Sequence, residues 1–379
     1  MTAALPESAL ALRETALDFA RSRIAPGALA WDRDRHLPLD VLREAAALGM
    51  AGLNVREAHG GAGLSRLEAV VVFEALATGC PSISAFLSIH NMVAWMLDRW
   101  GSDAQRAAWL PRLLGMEAVA SYCLTEPGAG SDAAALSTRA ARDNQGWVLD
   151  GTKQFISGAG ASDLYLTMAR SGGAGADGIS AFLVAKDTPG LSFGANERKM
   201  GWNAQPTRQV VFEQARIPAD ALLGEEGMGF RYAMAGLDGG RLSIAACSLG
   251  GAQAALDIAL EHVKQRRAFG RAVADFQATQ FRLADMATGL EAARHLLWSA
   301  AAKLDAGAPD ATAACAMAKR FCTDTGHEVA DAALQLLGGY GYLSDYGIEK
   351  IVRDLRVHRI LEGTNEIMRV IIARHMLRG

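Results

Sequence analysis

The chain has 379 residues, of which 50% are hydrophobic and 21% are charged, and its formal net charge is −3. This length allows two or three domains, and the composition is typical of a globular protein with much buried surface. The near-neutral charge excludes a general attraction to nucleic acid or to an anionic membrane.

No apolar run typical of a secretory signal opens the sequence, because Glu7, Arg13 and Glu14 interrupt it. No uncharged stretch has the length of a membrane span. The five cysteines include no Cys-x-x-Cys pair, and the eight histidines include no pair at ligand spacing. We therefore expect a cytoplasmic protein with reduced, mostly buried thiols, no metal site, and neither a membrane nor a nucleic-acid partner.

Residues 1–117 are predicted to form a helical domain. Apolar residues from Leu12 to Ile24 recur at helical spacing, and Pro26 with Gly27 is predicted to end this first helix. The abundance of Ala and Leu and the scarcity of β-branched residues favour a bundle. Further helices are predicted over residues 39–48, 64–78, 83–99 and 103–114.

Residues 118–228 are predicted to form an antiparallel β-domain. Two strand-like runs, 147–149 and 152–156, flank the dipeptide Asp150-Gly151, which is a strong signal for a hairpin with a two-residue turn. Further strands are predicted over residues 163–169, 179–185 and 209–213.

Residues 229–379 are predicted to form a C-terminal four-helix bundle. Three predicted helices exceed the common globular length, which favours bundle packing and contacts between subunits. A last helix over about 366–377 has Thr364 or Asn365 as its cap. The predicted fold class is therefore α+β, with a β-domain between two helical ones. The three long helices are predicted over residues 230–267, 277–306 and 310–337.

The first candidate site is the sequence SYCLTEPGAGSD, from Ser121 to Asp132. Gly128 and Gly130 let the backbone turn tightly and approach a flat or phosphorylated ligand, and Pro127 stiffens the entry to this turn. The same residue types are common in surface turns. The segment alone therefore leaves both interpretations open.

The second candidate site is the sequence RILEGTNEIM, residues 359–368. Glu362 follows Ile360 and Leu361, and apolar surroundings would raise the pKa of its carboxyl towards the range of a general base. The simpler interpretation of the pattern is an acid at a helix start, stabilised by the helix dipole. Glu366 fits that second interpretation better than Glu362 does.

Four shorter segments have both a functional and an ordinary interpretation. Residues 155–157 could end an apolar strand, and residues 238–241 could be a turn with a solvated ion pair. Residues 266–270 could be a solvated basic helix end, although Arg266 also suits a diphosphate. Residues 335–339 could be a helix end closed by glycine. No Gly-x-Gly-x-x-Gly motif follows an early strand, so no Rossmann site is predicted.

Together and in this order, these segments resemble the acyl-CoA dehydrogenase family over essentially the whole chain. The resemblance implies an FAD cofactor, with Phe155 covering one face of the flavin and Ser157 bonding near its reactive nitrogen. The implied cofactor-binding residues are Tyr122, Leu124, Thr125, Gly130, Ser131, Phe155, Ile156, Ser157, Arg266, Phe269, Phe276, Gln277, Gln335, Gly338, Gly339, Thr364 and Glu366. The implied substrate-binding residues are Ser131, Asp238, Arg241, Gly363 and Arg374.

The resemblance also implies that Glu362 takes the α-proton of an acyl-CoA thioester while the β-hydrogen leaves as a hydride to the flavin. One branch of the family keeps its base directly before the arginine equivalent to Arg241. Gly240 occupies that position here and cannot accept a proton, which leaves Glu362 as the candidate. Phe155 departs mildly from the family pattern, because many members have Trp there.

Finer features resemble the branch that oxidises isobutyryl-CoA to methacrylyl-CoA in valine degradation, and Leu361 stands where straight-chain enzymes commonly carry Tyr. The family resemblance further implies an electron-transfer flavoprotein as electron acceptor and a homotetramer in which the Arg266 region completes a neighbour's FAD site. A short-chain or 2-methyl-branched dehydrogenase, a related oxidase and a flavin-free helical scaffold are the alternatives. The segments that resemble this branch are residues 157–160, 201–208, 246–250 and 353–358.

Overall fold

The computed structural model describes residues 5–378 and confirms an α+β fold with a sheet between two groups of helices. Ser65 and Ser102 fix the starts of two N-terminal helices, because each side chain accepts a hydrogen bond from the backbone three residues later. The N-terminal helices are α1 (Glu7–Phe19), α2 (Ala28–Asp34), α3 (Leu39–Ala47), α4 (Arg66–Ala77), α5 (Pro81–Trp100) and α6 (Asp103–Leu114).

Pro26 does not end the first helical run, so that prediction was wrong. The backbone continues from α1 through a π-helical turn, Ala20–Ile24, and a 3₁₀ turn, Ala25–Gly27, before α2 begins. Pro26 lies in the first turn of the 3₁₀ segment, where its missing N–H is not needed. The proline therefore bends the run without stopping it.

The middle of the chain forms one sheet with the strand order β6-β7-β3-β2-β4-β5-β8, and β1 pairs with β4 in addition. Most neighbouring strands are antiparallel, as predicted, but β1 and β2 run parallel to β4, so the sheet is mixed. The strands are β1 (Ala120–Cys123), β2 (Arg139–Arg142), β3 (Gly146–Ser157), β4 (Leu164–Arg170), β5 (Ile179–Ala185), β6 (Leu191–Phe193), β7 (Thr207–Pro218) and β8 (Leu222–Leu223).

The predicted hairpin at Asp150-Gly151 was also wrong, because β3 runs through this dipeptide without turning back. Pairing with β2 on one side and β7 on the other keeps the strand extended. The glycine serves a bulge instead, with φ at 142° and a register shift between Leu149 and Gly151. The tight turn lies before β3, where the Asp143 amide donates to the Gly146 carbonyl.

The C-terminal helices confirm the predicted bundle, in which α9 contacts α7, α8 and α11. Thr364 caps the last helix by accepting a hydrogen bond from the Ile367 amide at 3.3 Å. We retain 118 and 229 as proposed domain limits; they lie between α6 and β1 and at the start of α7. The elements are α7 (Gly229–Gln265), β9 (Arg267–Ala268), β10 (Arg271–Ala272), α8 (Gln277–Asp305), α9 (Ala311–Leu337), α10 (Ile348–Arg356) and α11 (Asn365–Arg378).

Helix α7 is the central element of the packing. By length and composition it could cross a membrane, but 78% of its most apolar window is buried inside the protein, as expected for a core helix. One hydrophobic core joins α3, α4 and α5 to α7, α8 and α9, and a second lies between α5, α6, the sheet and the start of α7. All five cysteines are buried and unpaired, as predicted.

Candidate active site

Glu362 lies in the short loop between α10 and α11, with its backbone in the left-handed region at φ 53°. The turn before it is fixed by the amides of Ile360 and Leu361, which donate to the Val357 carbonyl at 2.8 and 3.0 Å. A left-handed conformation is unfavourable for a residue with a Cβ, so the surrounding structure must hold it. Such positions concentrate at functional sites.

The Glu362 carboxylate is directed into the protein, although the residue as a whole is partly exposed. Its Oε2 is buried and has no hydrogen-bond partner among the described residues. Burial raises the pKa of this carboxyl to about 7, against the opposing charges of Lys319 and Arg241. A carboxyl with this pKa can exchange a proton in neutral solution. The helix-start interpretation therefore applies to the exposed Glu366, which lies 3.6 Å from Arg369.

Gly240 gives the Glu362 carboxylate its space. A Cβ at residue 240 would lie 2.5 Å from Glu362 Oε2 and 3.2 Å from Met92 Sδ. Helix α7 therefore passes the carboxylate at a distance that only a glycine permits. The residue before Arg241 is thus in direct contact with the candidate base of this chain.

Asp238 and Arg241 lie one helical turn apart on α7, and the charge of Arg241 acts on the Glu362 carboxylate. Arg241 Nη1 donates to Asp238 Oδ1 at 2.7 Å, and Arg241 Nε donates to the Glu362 carbonyl at 3.4 Å. Thr312 donates to the other Asp238 oxygen at 2.7 Å. Arg241 is only 4% exposed, so the interpretation of this pair as solvated is wrong. The structure brings Asp238, Arg241, Glu362 and Gly363 together.

The segment from Tyr122 to Ser131, which covers the end of β1 and the loop after it, is held in place by a buried ion pair. Lys153 Nζ donates to Glu126 Oε1 at 2.7 Å and to the Leu124 carbonyl at 3.1 Å. The Glu126 carboxylate also accepts from the amides of Ser137 and Thr138. Burial raises the pKa of Glu126, but Lys153 and these hydrogen bonds outweigh burial and lower it to about 2.

The segment from Phe155 to Ser157 lies against this loop. The Gln154 amide donates to the Thr125 carbonyl at 2.8 Å, and Ser121 Oγ donates to the Ser157 carbonyl at 2.6 Å. A second bulge in β3 turns Phe155 outward at φ 59°, which leaves this aromatic side chain 64% exposed. An exposed aromatic residue beside a rigid loop suits a flat ligand.

These residues fit the predicted FAD. The hydroxyl of Tyr122 is buried without a hydrogen-bond partner among the described residues. The backbone at Gly128 and Gly130 faces open space, since no atom lies within 4 Å of a Cβ placed at either residue. A polar group without a partner, an open glycine backbone and an exposed aromatic side chain are three features that suit a bound cofactor.

A second part of the predicted cofactor site forms a separate groove of about 600 Å³. Arg266, Gln335, Gly338 and Gly339 all line it, and the Arg266 guanidinium lies 5.6 Å from the centre of the Tyr340 ring. The neighbouring Phe269 is 96% exposed, its ring is 6.3 Å from that of Phe276, and Gln277 begins α8. The sequence resemblance implies a cofactor contact for all of these residues except Tyr340, and the first four share one groove.

Three family models match consecutive parts of this chain. The N-terminal domain of acyl-CoA dehydrogenases matches residues 6–117, the middle domain matches residues 121–215, and the C-terminal domain matches residues 227–377. The chain belongs to the acyl-CoA dehydrogenase family. The predicted enzyme class, an FAD-dependent oxidoreductase, is that of this family.

Individual members of the family resemble the chain along its whole length. Mitochondrial isobutyryl-CoA dehydrogenases from Dictyostelium discoideum and Bos taurus are 53% and 50% identical to it, over 98% of this chain and 90% of each relative. The solved structure of butyryl-CoA dehydrogenase from Megasphaera elsdenii superposes with a TM-score of 0.96 at 36% identity, covering 100% of both chains.

One predicted substrate-binding residue of this acyl-CoA dehydrogenase, Arg374, lies on the helix after the Glu362 loop. Arg374 is exposed on α11, three turns beyond Gly363, and so does not reach the Glu362 pocket of its own chain. Sequence reasoning also missed three supporting residues: Glu126, Lys153 and Lys319. Their roles depend on partners that lie 27 or more positions away in the sequence, so no local pattern could have indicated them.

Proposed function

We propose that this acyl-CoA dehydrogenase oxidises isobutyryl-CoA to methacrylyl-CoA, with Glu362 as the base that removes the α-proton. The observation that carries this proposal is the buried, unpartnered Oε2 of Glu362, whose carboxyl has a pKa raised by burial to about 7. Such an oxygen is available to a substrate and basic enough to take its proton near neutrality. The two isobutyryl-CoA dehydrogenases support the choice of acyl group.

The residues around Glu362 position its carboxylate for the transfer of one proton. Gly240 leaves the carboxylate room, and the Arg241 guanidinium holds the Glu362 carbonyl at 3.4 Å. The α-proton of a thioester is too weak an acid for a carboxylate unaided, so hydrogen-bond donors must stabilise the developing enolate oxygen. The backbone amide of Glu362 is the proposed donor from this chain.

FAD, when bound, takes up the β-hydrogen as a hydride. The loop from Tyr122 to Ser131 and the Phe155–Ser157 segment would hold it, with Phe155 against the ring system. An electron-transfer flavoprotein is the proposed acceptor of the electrons.

We also propose that a neighbouring subunit completes the cofactor site, within a homotetramer. The groove around Arg266 lies at the far end of α7 from Arg241, about 36 Å away at about 1.5 Å per residue. A single extended dinucleotide bound beside Glu362 cannot span that distance. The proposal therefore assigns the groove to the cofactor of another subunit.

The test is a panel of CoA thioesters added without oxygen to the FAD-loaded protein, with the loss of flavin absorbance as readout. Isobutyryl-CoA should bleach the flavin faster than butyryl-CoA, isovaleryl-CoA or 2-methylbutyryl-CoA. Acetyl-CoA is the control, because it has no β-hydrogen to lose. A preference for another thioester would overturn the substrate, and no bleaching by any of them would overturn the activity. If dioxygen, added after bleaching, reoxidised the flavin rapidly, the protein would instead be an oxidase.

A further inference from the structure

Lys319, in the middle of α9, is a fully buried lysine beside the candidate base. Its side chain is 0% exposed, and Nζ donates to the Gly363 carbonyl at 2.8 Å and to Asn365 Oδ1 at 2.9 Å. These two acceptors lie one and three residues after Glu362. Lys319 therefore ties the loop that carries the base to the central helix bundle.

Both acceptors of Lys319 are neutral, so its charge has no carboxylate in hydrogen-bond contact. Arg241, the other cation that acts on Glu362, is already paired with Asp238 at 2.7 Å. Of the two cations that lower the pKa of Glu362, Lys319 has the larger effect, and removing it would leave the ionised carboxylate with only an arginine that is already paired. Burying an unbalanced charge is unfavourable, so the loss of Lys319 must favour protonated Glu362.

We propose that Lys319 is a positioning residue for the reaction: it holds Glu362 in place through Gly363 and Asn365, and its ammonium charge keeps the base ionised. This inference rests on the proposed role of Glu362. The other ionisable groups that act on Lys319 are Arg241, Asp324 and Glu366, while Lys319 itself acts on His358. The charge of Glu362 also acts on Tyr122 and Cys247. Burial raises the pKa of both groups, so both stay neutral.

The experiment measures how fast isobutyryl-CoA bleaches the flavin, at low substrate concentration, from about pH 6 to about pH 9. Burial lowers the pKa of Lys319 to about 8, so the wild-type midpoint is taken from the rise below that pH, where the ammonium is still charged. In the wild type, the rate should rise with pH as Glu362 ionises. Lys319→Met should move the midpoint of this rise upward by about one pH unit or more, because a neighbouring opposite charge is worth that much. It should also lower the plateau rate about tenfold, because the loop is less firmly held. Lys319→Arg retains the charge and should bring the midpoint back towards the wild-type value.

Lys350→Met is the matched control. Lys350 is also buried, at 3% exposure, but its partner is Asp354 at 2.6 Å on α10. This variant should lose stability without moving the midpoint. If Lys319→Met retains no FAD, Lys319→Gln takes its place with the same expectation.

Two results would overturn the role of Lys319: an unchanged midpoint in an FAD-loaded Lys319 variant, or an equal shift in Lys350→Met. Either result would leave the proposed function intact, because isobutyryl-CoA would still bleach the flavin of the wild-type protein. If no acyl-CoA bleached the flavin of the wild-type protein, the proposed function itself would be contradicted.

Discussion

Glu126, in the loop after β1, and Glu362, in the loop before α11, both have buried carboxylate oxygens but opposite surroundings. Glu126 accepts hydrogen bonds from Lys153 and two backbone amides, whereas Glu362 Oε2 has no partner among the described residues. Burial raises the pKa of both groups, yet the partners of Glu126 bring its pKa down to about 2 while that of Glu362 stays at about 7. Burial acts in the same direction on both carboxyl groups, and the partners decide whether the net pKa shift is downward or upward, and so whether a buried acid is structural or reactive.

The contrast between Glu126 and Glu362 depends first on Glu362 being the reactive glutamate of the two. Glu362→Gln should slow flavin bleaching by isobutyryl-CoA about a thousandfold, because an amide cannot act as a base. FAD absorbance should be unchanged, since the substitution keeps the shape of the side chain. Glu328→Gln, an exposed change on α9, is the control and should retain the wild-type rate. Unimpaired bleaching in Glu362→Gln would remove Glu362 from its role.

The structural role of Glu126 predicts a large effect on stability. Lys153→Met should lower the free energy of unfolding by about 3–5 kcal/mol, because it leaves a buried carboxylate without its cation. Adding Glu126→Gln should recover part of the loss, since the remaining buried group is then neutral. Arg216→Met breaks the exposed Arg216–Asp143 pair and should cost less than about 1 kcal/mol. Urea unfolding compares the three variants, and similar losses in Lys153→Met and Arg216→Met would contradict the assignment.

The two glutamates should respond to pH with opposite signs. The folded-state pKa of Glu362 lies above its usual value of 4.5, so the protonated form stabilises the fold and that stability is lost as pH rises through about 7. Glu362→Gln should therefore be more stable than the wild type at high pH, by about 3 kcal/mol, and equal to it near pH 4.

Glu126 has a folded-state pKa below 4.5, so its contribution is present above that value and lost as pH falls towards about 2. Glu126→Gln should be less stable than the wild type at high pH. Unfolding curves at two pH values measure both variants. Changes of the same sign in the free energy of unfolding at high pH, relative to the wild type, would contradict the contrast between the two glutamates.

The smallest predicted effect concerns the space around Glu362. Gly240→Ala places a Cβ 2.5 Å from Glu362 Oε2, which forces the carboxylate to move and should slow bleaching about tenfold. Gly239→Ala is the matched control, because its Cβ would meet the Arg66 guanidinium instead. Equal rates in the two variants would show that the carboxylate does not depend on this contact.

Motifs that combine special residues in one short segment were predictable from sequence. The Glu362 loop, the loop after β1 and the Arg266 groove all contain glycines or charged residues that stand out locally, and their assignment to the substrate and cofactor stays a prediction. Asp150-Gly151 failed as a hairpin because pairing on both sides of β3 overrides the local turn preference. The parallel pairing of β1 and β2 with β4 was missed because the residue pattern of one strand does not encode the direction of the strands beside it.

Lys319 illustrates the limit of sequence reasoning most clearly. It lies in an alanine-rich helix, where a lysine is expected to be solvated, and its acceptors are 44 and 46 positions away. Only the packing of α9 against the loop before α11 reveals its contacts. The same holds for Glu126 and Lys153, which are 27 positions apart.

The left-handed backbones of Phe155 and Glu362 have a consequence for protein engineering. A glycine at either position would relieve local strain of about 1–2 kcal/mol, so a search for thermostable variants would select it. Both changes would remove the side chain that faces the ligand. Heat resistance and turnover therefore compete at these two positions, and a stabilised form of the enzyme should be sought elsewhere in the chain.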